Sequence, residues 1–246
     1  MQSFLGNKKG LIPGFDDETL RLLEMLILAI HAAKDKHFDQ VTAVKIGATP
    51  VLENSASIVT RVLNNLDSEI IRILDLQKFG NDVDRVLRKI ASVGSRAGFD
   101  AIIMFPWVGP STIRTTIDMC RELGFDIIFG AEMTIPDFLL SQGGFIPDHV
   151  PPKMFRIAAE KGVDHFVVPG NKLEQMKLYR AIFDEVLGVD NSMLMSPGLI
   201  KQGGSVQKAN EVAGPNWHAI VGDAIMSKNT VEEMALVIED LARQLA

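Results

Sequence analysis

The segment from 165 to 222, HFVVPGNKLEQMKLYRAIFDEVLGVDNSMLMSPGLIKQGGSVQKANEVAGPNWHAIVG, contains three short apolar runs separated by stretches of helical periodicity. The runs are HFVVP at 165 to 169, SMLMS at 192 to 196 and HAIVG at 218 to 222. Runs of this length and composition, bounded by turn-forming residues, are typical of β-strands. Because no hairpin signal separates them, each helical stretch is predicted to connect two parallel strands.

The same alternation continues towards the amino terminus. Five more runs lie at 10 to 14 (GLIPG), 41 to 47 (VTAVKIG), 69 to 75 (EIIRILD), 101 to 105 (AIIMF) and 125 to 131 (FDIIFGA). Eight strand and helix units in 246 residues, with no composition break, predict one (β/α)8 TIM barrel domain over 1–246. An open doubly wound sheet, which uses the same alternation, is the alternative.

One connection in this pattern is unusually long. It is MTIPDFLLSQGGFIPDHV at 133 to 150, and a loop of this length in a compact domain commonly has a function. One interpretation is a lid over the active site. The other is an insertion that carries a short surface helix, and the sequence leaves both open.

Composition excludes several classes of protein. A formal net charge of −6 gives no electrostatic footprint for nucleic acid or for an anionic membrane. The single cysteine, Cys120, excludes an internal disulfide and offers no zinc spacing, so it is predicted to be a buried apolar residue. The apolar run at 25 to 33 is too short to span a bilayer, and we expect a soluble, cytoplasmic protein.

Polar residues at strand ends are the candidates for chemistry, because TIM barrel active sites form at the carboxyl ends of the strands. Side chains alternate along a strand, so Lys45 and Asp75 are predicted to face the top of the barrel interior. A lysine beside carboxylates in a partly desolvated pocket can serve as a proton donor. A structural ion pair that closes the barrel top is an equally good interpretation of these two residues.

The loops after the seventh and eighth strands are candidates for phosphate binding. They contain SPGLIKQGG at 196 to 204 and GDAI at 222 to 225. Barrels commonly bind phosphate there, through backbone N–H groups that glycine leaves accessible and through a helix N-terminus. Ordinary strand-to-helix turns are the alternative.

Several strings resemble the archaeal orotidine 5′-monophosphate decarboxylases. VKIGATPVL resembles the strand-two segment of the family with its lysine, here Lys45, and ILDLQKFGNDV resembles the DxKxxD signature, with Asp75 as its first aspartate. GAEMT resembles the EMS segment, which places Thr134 where a serine contacts the pyrimidine. FVVPGNKLEQ resembles the strand-six stretch, and SPGLIKQGG and VGDAI resemble the phosphate-binding TPGxxxQGG and VGRxI.

This resemblance implies a homodimer in which one aspartate of each site comes from the other subunit. It also implies that a lysine protonates C6 of the pyrimidine as carbon dioxide leaves, with no metal or organic cofactor. Catalytic residues would be Lys45, Asp75, Lys78 and Asp82. Substrate-binding residues would be Asp16, Thr134, Pro197, Gly198, Gln202, Gly203, Gly222 and Asp223.

The strand-three signature departs from the family pattern. Counted from Asp75, the frame places Gln77 at the catalytic lysine and Gly80 at the second aspartate. Lys78 can replace the lysine only if the strand ends or bulges, because a regular strand would turn it to the opposite face. Asp82 can replace the aspartate, near the dimer interface, or it can merely cap the helix that follows.

The phosphate-binding segments depart as well. Asp223 occupies the position of the arginine in VGRxI, which predicts weakened phosphate affinity. Lys201 and Lys228 lie near enough in sequence to compensate, and Asp223 can instead cap the final helix. Asp16 is the nearest substitute for the strand-one aspartate that contacts ribose in the family.

The resemblance therefore implies an orotidine 5′-phosphate decarboxylase of pyrimidine biosynthesis, which forms UMP, or a diverged homologue of it. Two other functions stay open. One is a related phosphosugar lyase or aldolase that uses a magnesium-bound enediolate. The other is a non-catalytic barrel that binds a nucleotide or an anion, which the altered DxKxxD frame favours.

Overall fold

Eight parallel strands form a closed barrel in which each strand pairs with the next along the chain. The computed structural model describes residues 4–5, 9–35, 40–76 and 79–245. The strands are β1 Gly10–Phe15, β2 Ala43–Ile46, β3 Ile71–Asp75, β4 Ala101–Met104, β5 Asp126–Gly130, β6 His165–Val167, β7 Met193–Ser196 and β8 Trp217–Val221. Every one of them overlaps a predicted strand.

Helices connect the strands and cover the outside of the barrel. They are α1 Leu20–Lys34, α2 Ala48–Asn54, α3 Ala56–Leu63, α4 Asp84–Ala97, α5 Pro110–Glu122, α6 Val150–Glu160, α7 Leu173–Leu187, α8 Val206–Ala213, α9 Asp223–Met226 and α10 Val231–Leu245. Their apolar faces and the outward side chains of the strands form one continuous buried layer. No helix within the described residues is long and apolar enough to cross a membrane.

Closure of the sheet confirms the TIM barrel and rules out the open doubly wound alternative. β1 pairs with β8 in parallel, and Gly10 lies opposite His218 while Leu11 lies opposite Ala219. An open sheet would leave these two strands as unpaired edges. The carboxyl ends of all eight strands therefore meet around one opening.

The barrel interior is filled by the inward side chains of alternate strand positions. Ala43 on β2 and Ile73 on β3 belong to this interior cluster. Lys45 lies two residues after Ala43 and pairs in register with Ile73, and Asp75 lies two residues after Ile73. Alternation thus carries both ionisable side chains inwards, one step above the apolar layers.

The long connection between β5 and α6 carries a short surface helix, in agreement with its interpretation as an insertion. A 3₁₀ turn covers Leu140–Gln142, and Ile146 accepts a backbone hydrogen bond from Leu140 at 2.8 Å. Phe138 is buried with its ring centroid 5.9 Å from that of Trp107. The segment is therefore packed onto the barrel mouth at Phe138.

Cys120 is fully buried on α5, in agreement with its prediction as an apolar core residue. Burial raises the pKa of its thiol to about 12. A thiol with such a pKa is protonated at neutral pH and is a poor nucleophile.

Candidate active site

A cavity opens at the carboxyl ends of the strands, and all eight strands or the loops after them contribute to its lining. Its ionisable residues are Asp16, Lys45, Asp75, Glu132, Lys201 and Asp223. Apolar side chains that include Ile103, Phe105 and Ile220 form its floor and walls. A concave site on which polar groups converge is the usual form of a small-molecule site.

Lys45 is the centre of the charged part of this cavity. Its Nζ lies 3.0 Å from Oδ2 of Asp75 and 3.1 Å from both carboxylate oxygens of Asp16. Burial by itself would lower the pKa of Lys45, but attraction to Asp75 and Asp16 outweighs it, so the pKa lies above its usual value. The structure thus holds Lys45 as an ammonium ion at physiological pH.

The two carboxylates around Lys45 differ in exposure. The Asp75 side chain is 5% exposed, whereas that of Asp16 is 65% exposed. Oδ1 of Asp75 is buried and has no hydrogen-bond partner among the described residues. A buried acceptor without a partner is costly, so we expect this oxygen to accept from a ligand or from a residue outside the described ranges.

Gly47 controls where Asp16 lies. A Cβ added at Gly47 would be 1.8 Å from Oδ1 of Asp16, far closer than any real contact. The backbone at Gly47 has φ of −76°, so any residue can adopt it without strain.

We therefore expect Gly47→Ala to displace the Asp16 carboxylate from Lys45 and to reduce ligand binding about as much as Asp16→Ala does. Thermal stability should change little, because the displaced atom is the end of an exposed side chain. Calorimetric titration and thermal melts of both variants test this. A melting temperature lowered by about 10 °C would instead show that backbone, not Asp16, moved.

A second ionic cluster lies on the opposite side of the mouth, and the sequence analysis did not identify it. Glu132, 1% exposed, follows β5 and accepts a hydrogen bond from Lys172 Nζ at 2.8 Å. Its other oxygen accepts the hydroxyl of Tyr179, and Lys172 also donates to Oε1 of Gln142 at 3.0 Å. Burial, and then the hydrogen bond to Glu132, raises the pKa of Tyr179 far above its usual value.

Lys172 thereby connects the cavity wall to the β5–α6 insertion. Its ammonium also lies 5.8 Å from the ring centroid of Phe138, within the range of a cation–π contact. The strand-end rule that identified Lys45 and Asp75 would have found Glu132, had it been applied to the residues just after β5.

Most residues predicted to bind substrate line the cavity. They are Asp16, Thr134, Pro197, Gly198, Gln202, Gly222 and Asp223. Gly203 and Lys228 are not among the lining residues. Lys201 lines the cavity and lies near Asp223, with Nζ 3.7 Å from Oδ2.

Residues 81 and 82 of the strand-three loop do not line this cavity. Asn81 donates to the carbonyl of Phe105 at 2.6 Å and accepts from the backbone of Trp107 at 2.7 Å, which fixes the chain against the loop after β4. Asp82 lies in a separate surface depression and accepts from its neighbour Val83 N at 2.7 Å. The structure thus does not bring Asp82 to the cavity of its own chain.

Of the four predicted catalytic residues, Lys45, Asp75, Lys78 and Asp82, the structure brings the first two together. Lys45 and Asp75 form a direct ion pair at the barrel mouth, whichever of the two predicted roles they have. Gln77 and Lys78 lie outside the described residues. β3 ends at Asp75, so strand alternation does not determine the direction of Lys78.

No family model matches the chain. Among curated proteins, it is 30% identical over 200 residues to the orotidine 5′-phosphate decarboxylase of Methanosarcina barkeri. The aligned region covers 79% of this chain and 80% of that protein. It is 25% identical over 199 residues to the enzyme of the same name from Methanocaldococcus jannaschii, and this aligned region covers 79% of this chain and 84% of that protein.

Solved structures show the same fold. A crystal structure of orotidine 5′-monophosphate decarboxylase from Methanocaldococcus jannaschii complexed with inhibitor BMP has a TM-score of 0.78, with 21% identity over 97% of this chain and 99% of that one. The Pyrococcus horikoshii enzyme has a TM-score of 0.72, with 22% identity over 95% of this chain and 99% of that one.

Proposed function

The chain belongs to the orotidine 5′-phosphate decarboxylase family. We therefore propose that it is a carboxy-lyase that removes carbon dioxide from orotidine 5′-phosphate or from a related orotate derivative such as orotidine. The observation that carries this proposal is the buried Lys45, held between Asp75 and Asp16 in the cavity at the barrel mouth. The reaction would use these side chains without a metal or organic cofactor.

In the proposed reaction, the bond between C6 of the pyrimidine and its carboxyl carbon breaks. The electron pair stays on C6, carbon dioxide leaves, and Lys45 donates a proton from Nζ to C6. Solvent then returns the proton to the lysine. Asp75 and Asp16 support this step by fixing the ammonium in position. A positioned acid of this kind increases the reaction rate by about a hundred- to ten-thousandfold.

The ultraviolet absorbance of orotidine 5′-phosphate and of orotidine, followed in separate reactions with the protein, tests the proposal. We expect a change in the pyrimidine spectrum for at least one substrate, and chromatography should show UMP or uridine as its product. Thermal stabilisation by UMP or uridine without turnover would contradict it and favour a barrel that only binds its ligand. Magnesium-dependent stabilisation by ribulose 5-phosphate would contradict it in favour of a phosphosugar lyase.

A homodimer and a cytoplasmic location are part of the same proposal. Val83 and Val108, each 63% exposed, line the surface depression that contains Asp82. Exposed apolar residues around an acidic one suit a subunit contact that delivers Asp82 to the partner's cavity. Light scattering at about micromolar concentration should give twice the chain mass, and a monomer would contradict the shared site.

A further inference from the structure

The charges and hydrogen bonds on the β7 and β8 side of the cavity suit a ligand that places an uncharged group there. We propose that the barrel takes a pyrimidine nucleoside, with free ribose hydroxyls, in preference to a nucleoside monophosphate. This inference rests on the proposed function, because it concerns the same cavity. Asp223 is the residue that would determine the preference.

The cavity lining carries an excess of negative charge. Among the described residues, four carboxylates and two ammonium groups line it, which is a formal charge of −2, and no arginine or histidine is among them. Lys172, which pairs with Glu132 at 2.8 Å, reduces this excess to −1. A phosphate monoester would add close to two further negative charges. Like charges in one cleft repel each other, so the lining opposes a phosphate.

Both ammonium groups already have acidic neighbours. Lys45 contacts two carboxylates at 3.0 and 3.1 Å, below the rim. Lys201 lies 3.7 Å from Asp223, and both of their side chains are more than half exposed. A phosphate at this rim would have to compete with Asp223 for the Lys201 ammonium while it remained close to the Asp223 carboxylate.

Three backbone N–H groups of the glycine-rich loop after β7 donate to carbonyls of the loop itself. Ile200 N donates to the Gly204 carbonyl at 2.7 Å, Gly203 N to the Ile200 carbonyl at 3.1 Å, and Gly204 N to the Gly198 carbonyl at 3.2 Å. A phosphate cradle needs such groups to point at the ligand. The N–H groups of Ile200, Gly203 and Gly204 are therefore turned away from a ligand in this structure.

The β8 side offers no better anion site. α9 is a single turn of four residues, and Asp223 is the first of them. An acidic side chain in the first turn already complements the partial positive charge of the helix N-terminus. Little of that positive potential is left for a ligand anion.

The same rim suits hydroxyl groups. Asp16, 65% exposed, and Asp223, 71% exposed, both line the cavity and can only accept hydrogen bonds when ionised. Ribose hydroxyls are donors, and hydrogen bonds from a hydroxyl to a carboxylate are among the stronger ones. An uncharged sugar end therefore complements this rim, whereas a phosphate does not.

Calorimetric titration of uridine and UMP at low ionic strength tests the inference on the wild type, Asp223→Asn and Asp223→Arg. Uridine should bind the wild type at least about tenfold more tightly than UMP, since one charge-assisted contact corresponds to roughly that ratio. Asp223→Asn should strengthen UMP binding by about tenfold and Asp223→Arg by more. Uridine should bind Asp223→Asn more weakly than the wild type, because the amide oxygen still accepts a hydroxyl but lacks the charge of the carboxylate.

Asp118→Asn is the matched control, since Asp118 is half exposed and pairs with Lys161 at 2.8 Å on the outside of the barrel. This substitution should change neither the affinity for uridine nor the affinity for UMP. UMP binding that is tighter than uridine binding in the wild type and unchanged in Asp223→Asn would overturn the inference and leave the proposed function standing. If neither uridine nor UMP bound any of these folded proteins, both the inference and the proposed function would be overturned.

Discussion

Lys45→Met is expected to lower the rate of decarboxylation by about a hundred- to ten-thousandfold, the usual contribution of a positioned acid. Methionine has a similar length but carries no proton to donate. Lys45 is the only ammonium within 4 Å of Asp75 among the described residues. The substitution therefore removes the proposed proton donor and the counter-ion of Asp75 together.

The same substitution should lower the free energy of unfolding by about 3–5 kcal/mol, because it leaves the buried Asp75 carboxylate without its partner. Lys34→Met is the matched control. Lys34 pairs with the half-exposed Asp67 at 2.6 Å on the outer surface, where an ion pair contributes only about 0–1 kcal/mol. Single-turnover kinetics and urea unfolding measure both effects. A folded Lys45→Met protein with wild-type turnover would remove Lys45 from the mechanism.

The stability difference between wild type and Lys45→Met should depend on pH in a defined direction. The pKa of Lys45 is raised in the folded protein, so its stabilising contribution is fully present below the usual lysine pKa. That contribution is lost as the pH rises through the raised folded-state value. Urea unfolding in alkaline buffers should therefore show the gap between the two proteins narrowing with increasing pH.

Lys172→Met is expected to destabilise the protein by about 3–5 kcal/mol, because it leaves the fully buried Glu132 carboxylate without its counter-ion. It also removes the hydrogen bond to Gln142 that ties the β5–α6 insertion to the barrel mouth. Proteolysis within the insertion should therefore become faster. Urea unfolding and limited proteolysis measure the two effects.

The double variant Glu132→Gln, Lys172→Met should recover a large part of this loss, since neither partner then carries an isolated buried charge. Lys177→Met is the control for loss of a lysine from α7, because Lys177 pairs with Glu174 on the exposed face. Equal losses in the single and double variants would show that packing of the Lys172 stem, not its charge, stabilises the insertion.

Much of the architecture was predictable because its signals are local. Apolar runs alternate with helical periodicity along the chain, and this pattern is sufficient for eight parallel strands. Period-two alternation from Ala43 and Ile73 placed Lys45 and Asp75 inside the barrel top, and the parallel pairing of β2 with β3 then brought them together.

Positions that depend on loops were not predictable in this way. Asp82 was assigned to a site shared between subunits, and only the bonds of Asn81 to the backbone after β4 show that it lies outside the cavity of its own chain. Glu132 and Lys172 are 40 residues apart, and only the β5–β6 pairing places them side by side. Loop paths follow from side-chain contacts with neighbouring loops, which no periodicity encodes.

By itself, the sequence determined the eight strands and the inward lysine and aspartate, because strand alternation is a property of the backbone. Closure of the sheet was established only by the pairing of β1 with β8. Only the tertiary structure decided what surrounds these groups. It brought Asp16 onto Lys45 and Lys201 towards Asp223, and it turned three N–H groups of the glycine loop onto the loop's own carbonyls. Hydrogen bonds and ion pairs act over a few ångströms, so they depend on which distant segments the closed barrel makes neighbours.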